Sequence, residues 1–281
     1  MQRKKLLFAA ASAALALGTA WGAQAQVTGY DIGINPTNEQ TGPTTVTSTG
    51  GFFSARVFLT NASDFDGGTI TIPGGAVQPL TPAPGPILTY GVGDASLSDL
   101  NATFPMGTYS LNVTNSMTSA MQTLTVDYSV AADSLSTPTL SASSFTALQD
   151  LHAGSGFDFA FNSFVQNPAA TQGSIFLNVT DQSGNSVFSE NFADPTSTSF
   201  FMPGGTLVAG KTYSFDLNFD ERIIGADPAD PSIGNTIFFD THTDGTFTTA
   251  VPEPASWALM LVGFGGIGAM VRGGRRRVAA A

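Results

Sequence analysis

Residues 205–212 read GTLVAGKT and satisfy the phosphate-binding pattern G-x-x-x-x-G-K-[ST] letter for letter. That pattern does chemistry only where a strand delivers the glycine turn and a helix follows, because the free N-terminal amides and the helix dipole hold the phosphates. The two histidines, His152 and His242, are the other side chains suited to proton transfer near neutral pH. Neither has a metal-ligand partner at helical or hairpin spacing, and no H-E-x-x-H or G-x-S-x-G motif occurs. A serine triad would need one of these histidines beside a serine, and no spacing in the chain points to one.

Carboxylates are more plentiful. Asp64 and Asp66 lie in DFDGG (64–68), and Asp220, Glu221, Asp227 and Asp230 lie in DERIIGADPADP (220–231). Calcium takes several oxygen ligands from flexible loops, so these six are the candidate calcium ligands, although neither loop has EF-hand spacing. Solvated acidic loops are the preferred reading, with calcium binding second. A glycosidase needs two carboxylates flanking a sugar, one with a raised pKa, and no pair is singled out. With no cysteine in the chain, thiolate metal sites, disulfides and cysteine catalysis are excluded.

The elements that must position these residues alternate with period two, the mark of half-buried strands. TLTVDYSV sets Leu124, Val126, Tyr128 and Val130 on one face, GFDFAFNSF groups Phe157, Phe159 and Phe161, and TYSFDLNFD groups Tyr213, Phe215, Leu217 and Phe219. Further strands are expected at 52–59, 69–72, 109–113, 174–179, 187–192 and 235–239, and no segment before Val251 carries a helical stripe. The proline-rich PLTPAPGPI (79–87) reads as an exposed loop. The pattern predicts an all-β chain of one or two antiparallel sandwich modules, immunoglobulin-like or fibronectin-like. IPGG (72–75) is echoed by MPGG (202–205), and FPMGTYSLNV (104–113) by VAGKTYSFDL (208–217). These echoes favour two modules, 26–134 and 135–250, with one continuous sandwich as the alternative. A strand therefore follows the glycines of 205–212 where nucleotide binding requires a helix. LVAGKTY instead resembles the turn entering a tyrosine-corner strand, with Tyr213 as the corner residue and Tyr109 its counterpart behind a shorter turn.

Charge is sorted along the chain. Three of the ten basic residues are Arg3, Lys4 and Lys5, and four are Arg272, Arg275, Arg276 and Arg277. Only Arg56, Lys211 and Arg222 remain between Gln26 and Val251, against all of the 21 acidic residues except Glu253, so three positive and twenty negative charges leave −17. A body so acidic is repelled by nucleic acid and by anionic membranes, and its charge serves solubility.

Both ends read as addresses. Residues 1–25 combine a basic start, an apolar run over 6–17 and Ala23-Gln24-Ala25, the layout of a signal peptide cleaved after Ala25. Residues 255–271 carry no charge for 17 positions and are followed by the basic cluster 272–277. As a transmembrane helix this run sits at the lower limit for crossing a bilayer, with its C-terminal end held in the cytoplasm and the acidic body outside.

Pro252-Glu253-Pro254, then Trp257-Ala258, a glycine-rich apolar span and Arg272, Arg275, Arg276 and Arg277 resemble the PEP-CTERM sorting signal of Gram-negative bacteria, in its PEPxxWA variant. The resemblance is confined to about residues 251–281 and implies nothing about the fold of the body. It implies that exosortase recognises the tail near Pro252, Glu253 and Pro254 and removes it, after signal peptidase has removed residues 1–25. The body would be anchored transiently in the inner membrane and then reach the cell surface or exopolysaccharide matrix. A permanent anchor behind a proline linker is the alternative. The expected role is non-enzymatic, structural or adhesive toward extracellular polysaccharide, with no cofactor and no nucleic-acid partner. A carbohydrate-binding or calcium-dependent recognition module is the second reading, and an exported hydrolase the third.

Overall fold

The computed structural model describes residues 26–128 and 135–251. The signal segment with Ala23 and Ala25, Val130, and the tail with residues 252–254, Trp257, the apolar run 255–271 and the arginine cluster 272–277 lie outside the described residues. Among the described residues no helix is long and apolar enough to cross a membrane.

The described residues are all-β apart from two short helices. The elements in order are β1 (Val27–Gln40), β2 (Val46–Leu59), β3 (Phe65–Thr71), β4 (Val77–Ala83), β5 (Ile87–Asp94), α1 (Leu97–Thr103), β6 (Thr108–Asn115), β7 (Met121–Asp127), α2 (Ala142–Gln149), β8 (Phe157–Ala160), β9 (Gln172–Asp181), β10 (Ser186–Ala193), β11 (Ser199–Met202), β12 (Thr212–Ala226) and β13 (Gly234–Thr248). Eleven strands connect in the order β10-β9-β12-β13-β1-β2-β5-β4-β3-β6-β7, while β11 and β8 form a separate pair.

Two packed cores explain this order. The first places Ile32, Phe53, Val57 and Phe239 against Ile70, Tyr109, Leu111 and Val126. Phe53 stacks on Phe104 at 4.0 Å between ring centroids, and Tyr128 tilts against Phe239 at 5.5 Å. The second places Phe215, Leu217, Phe219 and Leu177 against Phe157, Phe159, Phe161 and the α2 residues Phe145 and Leu148. Each fully buried side chain of this size contributes roughly 1.5–3 kcal/mol, which is how a chain without disulfides stands on packing alone. The expected faces hold: Leu124, Val126 and Tyr128 are buried together, as are Tyr213, Phe215, Leu217 and Phe219.

The ribbon of β12 and β13 joins the cores. Ile233, just before β13, and Ile237 and Phe239 from its first half belong to the first core, whereas Phe247 near its end belongs to the second. β13 also pairs in parallel with β1 from Gly29↔Gly234 to Glu39↔Asp244, tying the last strand to the first.

The tyrosines act as corners. Tyr109 Oη donates to the carbonyl of Pro105 at 2.7 Å, and Tyr213 Oη accepts from the amide of Val208 at 2.9 Å. Tyr109→Phe and Tyr213→Phe should each cost about 1–2 kcal/mol, read by denaturant unfolding, because a backbone group loses its partner. The GTLVAGKT segment is bound into the same corner. Thr249, 1% exposed, accepts from the amide of Lys211 through Oγ1 and donates to the carbonyl of Val208 at 2.7 Å. The amide of Gly210 donates to the Thr249 carbonyl. These turn amides are spent on the protein's own chain, and β12 follows them.

The proline-rich loop expected at 79–87 is instead the end of β4, a short turn and the start of β5. Residues 77–80 of β4 pair with β3 and residues 81–83 with β5. β4 thus passes from one sheet to the other, and Pro79 and Pro82 each face a partner strand on one side only, where a missing N–H is tolerated. The two helices also lie outside the expectation. Ser96 caps α1 by accepting from the Asp99 amide, and Ser141 caps α2 by accepting from the Ser144 amide. At seven and eight residues they are too short to display a stripe.

Candidate functional site

The outward face of β12, β13, β1 and β2 carries the charged side chains that strand alternation keeps out of the cores. A pocket of about 400 Å³ opens there, lined by Asp31, Asn35, Arg56, Asp220, Arg222 and Asp240 with Phe52 and Phe238. Its floor depends on a glycine. A Cβ added at Gly33 would lie 2.2 Å from the Phe238 carbonyl oxygen and 2.5 Å from the Phe238 ring, so only glycine lets that ring lie across β1. Phe52 lies over Gly91 of β5 in the same manner and is 43% exposed.

Three ion-pair clusters organise the charge among the described residues. Arg56 donates to both carboxylate oxygens of Asp31, with Nε at 2.9 Å from Oδ1, and its guanidinium sits over the rings of Phe58 and Phe238. Arg222 donates to Asp220 at 3.0 Å. Burial pushes the carboxyls of Asp31 and Asp220 above the usual carboxylate range, against the opposing pull of the two arginines. Asp31 in turn raises the Arg56 guanidinium.

His242 forms the third. Its Nδ1 is 3.2 Å from Asp216 and its Nε2 is 3.3 Å from Asp240. Burial alone would lower its pKa, but the hydrogen bonds and charges of both aspartates outweigh it and raise the imidazole to about 10. The two aspartates thus favour the charged form of His242. Asp244, next along this face, is pushed up by burial and by the negative charges of Asp216 and Glu39. Asp240 lies two residues before His242 on β13 and shares its face, while strand register supplies Asp216 from β12 beside the Asn218↔His242 pair. His152 is exposed and bridges to Ala250.

The six acidic residues singled out in the sequence are dispersed. Asp64 is buried and accepts from Asn61 Nδ2 at 3.1 Å, while Asp66 is exposed. Asp220 belongs to the pocket. Glu221, its neighbour, is fully buried on the opposite face, where it accepts from the amide of Asn167 and burial raises its pKa. Burial also pushes Asp227 up, but hydrogen bonds from Thr125, Tyr30, Ala229 and Asp230 outweigh it and hold its carboxyl low. Asp230 caps Ser232 in the β12–β13 loop. Among the described residues no three His, Asp or Glu side chains gather as a metal site would require.

Asn35, Ser54, Arg56 and Phe52 were not anticipated in any site. Their only signal is cross-strand register, which one strand read alone does not contain. A larger and more apolar hollow of about 550 Å³ is bordered by Tyr128 and Leu135, the residues on either side of 129–134.

At its far end the second core delivers the chain to Val251. Residues 250–277 match the PEP-CTERM protein-sorting motif. Its first residues are the last described ones: the amide of Ala250 donates to the carbonyl of Leu151 at 2.8 Å, and Val251 is 67% exposed. No curated protein matches the chain. Among solved structures it is similar to the BSP domain of a biofilm-associated protein, with 14% identity over 78% of this chain and 30% of that one, and a TM-score of 0.22. A 1.5-MDa bacterial ice-binding adhesin has 18% identity over 80% of this chain and 66% of its own, with a TM-score of 0.24. The FN1–FN3 domains of chicken CNTN1 have 7% identity, 79% and 68% coverage, and a TM-score of 0.24. The chain spans under a third of the first of these and just under two thirds of the second.

Proposed function

We propose that this chain is an exported structural or adhesive protein, sorted by exosortase to the cell surface or exopolysaccharide matrix after passing through an inner-membrane intermediate. The observation that carries this reading is the sorting motif at 250–277, which starts at the clamped end of a folded all-β body. Residues 1–25 are the signal peptide, cleaved after Ala25 by signal peptidase. The body is two immunoglobulin-like or fibronectin-like sandwich modules, 26–134 and 135–250, the second lending Ile237 and Phe239 of β13 to the core of the first. Pro252, Glu253 and Pro254 are the processing site, with Trp257 and the transmembrane helix 255–271 behind it and Arg272, Arg275, Arg276 and Arg277 as the cytoplasmic stop. Fractionation of cells expressing the full chain and a chain ending at Val251 tests this. The full chain is expected at the surface or in the matrix and the shortened one free in the periplasm or medium. Identical distributions would overturn the proposal.

The mature body is non-enzymatic in this reading, because the polar groups most suited to catalysis are committed to partners. Asp31 and Asp220 hold arginines, and His242 is locked between aspartates.

The sheet-face pocket favours carbohydrate as the second reading's ligand, ahead of calcium. Its charges are largely paired, Asn35 Oδ1 and Asp240 Oδ1 are buried without a hydrogen-bond partner, and the ring of Phe52 stands exposed at the rim. Sugar hydroxyls satisfy such acceptors while a ring covers the sugar's apolar face. Retardation in gels containing the producing cell's own exopolysaccharide should fall about fivefold in Phe52→Ala, the loss of about 1 kcal/mol of contact. Unchanged retardation removes the pocket from the interaction, and release of reducing sugar during the assay would transfer the site to the hydrolase reading.

A further inference from the structure

The described chain enters and leaves the body at opposite ends of one long sheet. Gln26 precedes β1 at the end where Gly29 lies beside Gly234, and the amide of Thr60 donates to the Gln26 carbonyl at 2.9 Å. Ala250 and Val251 follow β13 at the other end, where Thr248 lies beside Thr212. β13 spans about 50 Å between these ends as an extended strand. A pull applied between Gln26 and Val251 therefore runs along the strands and roughly at right angles to the hydrogen bonds that join them.

The pairing of β1 with β13 decides how such a pull is carried. Tension on Gln26 draws β1 toward its own start, and tension on Val251 draws β13 toward its own end. Because the two strands are parallel, they are drawn past each other along the whole ladder from Gly29↔Gly234 to Glu39↔Asp244. Neither strand is at an edge. β1 is also held by β2 from Val27↔Leu59 to Gln40↔Val46, and β13 by β12 from Thr212↔Thr248 to Ala226↔Gly234. The load is shared over these ladders, whereas a sideways pull on a hairpin falls on one pair at a time. Every other ladder among the described strands is antiparallel. The isolated parallel bridge His152↔Ala250 falls on the chain just beyond β13. Parallel pairing is slightly less stable per residue than antiparallel, so its use at the two chain ends is a gain under load rather than at rest.

Side chains fasten the same two strands. Asn38 Nδ2 on β1 donates to the carbonyl of His242 on β13 at 2.9 Å, and the Phe238 ring lies across Gly33. Gln40, at the end of β1 and 2% exposed, exchanges hydrogen bonds of 3.0 and 2.9 Å with the backbone of Leu140 in the second core. Beyond β13, Thr249 Oγ1 donates to the Val208 carbonyl and the Ala250 amide to that of Leu151, so neither exit carries slack.

We infer that the body is a load-bearing link, in which tension between its two ends is carried as shear by β1 and β13. The shear geometry stands on strand topology. Only the source of the load rests on the proposed adhesive role, in which one end is held while the matrix moves the other.

Because the chain has no cysteine, handles can be placed at chosen pairs of exposed positions. The full chain in detergent is held in optical tweezers through Gln26→Cys and Val251→Cys for the end-to-end axis, or through Gln26→Cys and Ala62→Cys for a control axis. The control draws β1 away from β2 at Val27↔Leu59, so that this ladder opens pair by pair. The expected result is a rupture force several-fold higher end to end than on the control axis. At constant end-to-end force, Asn38→Ala should unfold about fivefold faster, the loss of about 1 kcal/mol for one hydrogen bond between the strands, and at an unchanged rate on the control axis. Equal rupture forces on the two axes overturn the inference, and that comparison needs no substitution inside the ladder. A low-force first step that frees residues 135–251 end to end overturns it as well, because β13 has then left without resisting shear. Either failure leaves the sorting proposal untouched, since a body that yields to low force can still be exported; a body that is never sorted can still resist the pull.

Discussion

Replacing His242 with alanine is expected to destabilise the protein by about 2–3 kcal/mol near pH 6, below the loss for breaking a fully buried pair because Asp216 is 42% exposed. Without the imidazolium, Asp216 and Asp240 lose the cation between them, and Asp244, directly across from Asp216, and Glu39 on β1 add to the repulsion. The sign follows from the raised folded-state value. A group whose pKa rises from 6.5 to about 10 on folding contributes its full stability below 6.5, and that contribution is lost as pH rises through about 10. The gap between wild type and His242→Ala should therefore be widest near pH 6 and close above pH 10, by urea unfolding across that range. A gap independent of pH would mean that His242 acts through packing rather than charge.

Gly33→Val is expected to be more severe, at least about 3 kcal/mol or roughly 10 °C in Tm. Even the first carbon of the new side chain falls 2.2 Å from a backbone oxygen of β13, which moves only if the β1–β13 pairing moves. That pairing joins the first strand to the last, so local relief is not available. Gly74→Ala, in a turn where an added Cβ meets nothing within 4 Å, is the control for lost glycine flexibility. Its own cost is limited to that of a positive φ of 97°. Thermal unfolding of the two variants side by side separates steric conflict at the pocket floor from backbone strain. Comparable losses would contradict the role given to Gly33.

Much of the fold was legible because strands write their burial into alternate residues. The faces of β7, β8 and β12 followed directly from Leu124-Val126-Tyr128, Phe157-Phe159-Phe161 and Tyr213-Phe215-Leu217-Phe219. β1 was not anticipated, although Tyr30, Ile32 and Ile34 alternate there; Gly29, Gly33 and Pro36 break up the run, and the fold uses Gly33 to admit Phe238. β4 was hidden by its prolines, which a strand passing between sheets accommodates. The pocket was invisible for a different reason. Asp31, Arg56, Asp220 and Asp240 come from four strands, and only register places them together. The acidic loops pointed toward calcium because they are close in sequence, yet Asp220 and Glu221 emerge on opposite faces of one strand. The sorting motif was fully legible, since its parts are consecutive in the chain.

The central claim is that this chain is made to be exported, held briefly by its tail and released to the outside. Intact-mass and C-terminal peptide analysis of the native protein, isolated separately from membranes and from extracellular matrix, tests it most directly. The expected mature form begins at Gln26, ends near Pro254 and is recovered outside the membrane. A form still carrying Trp257 through Arg277, found in membranes alone, would contradict the account and make the protein a permanently anchored β-sandwich.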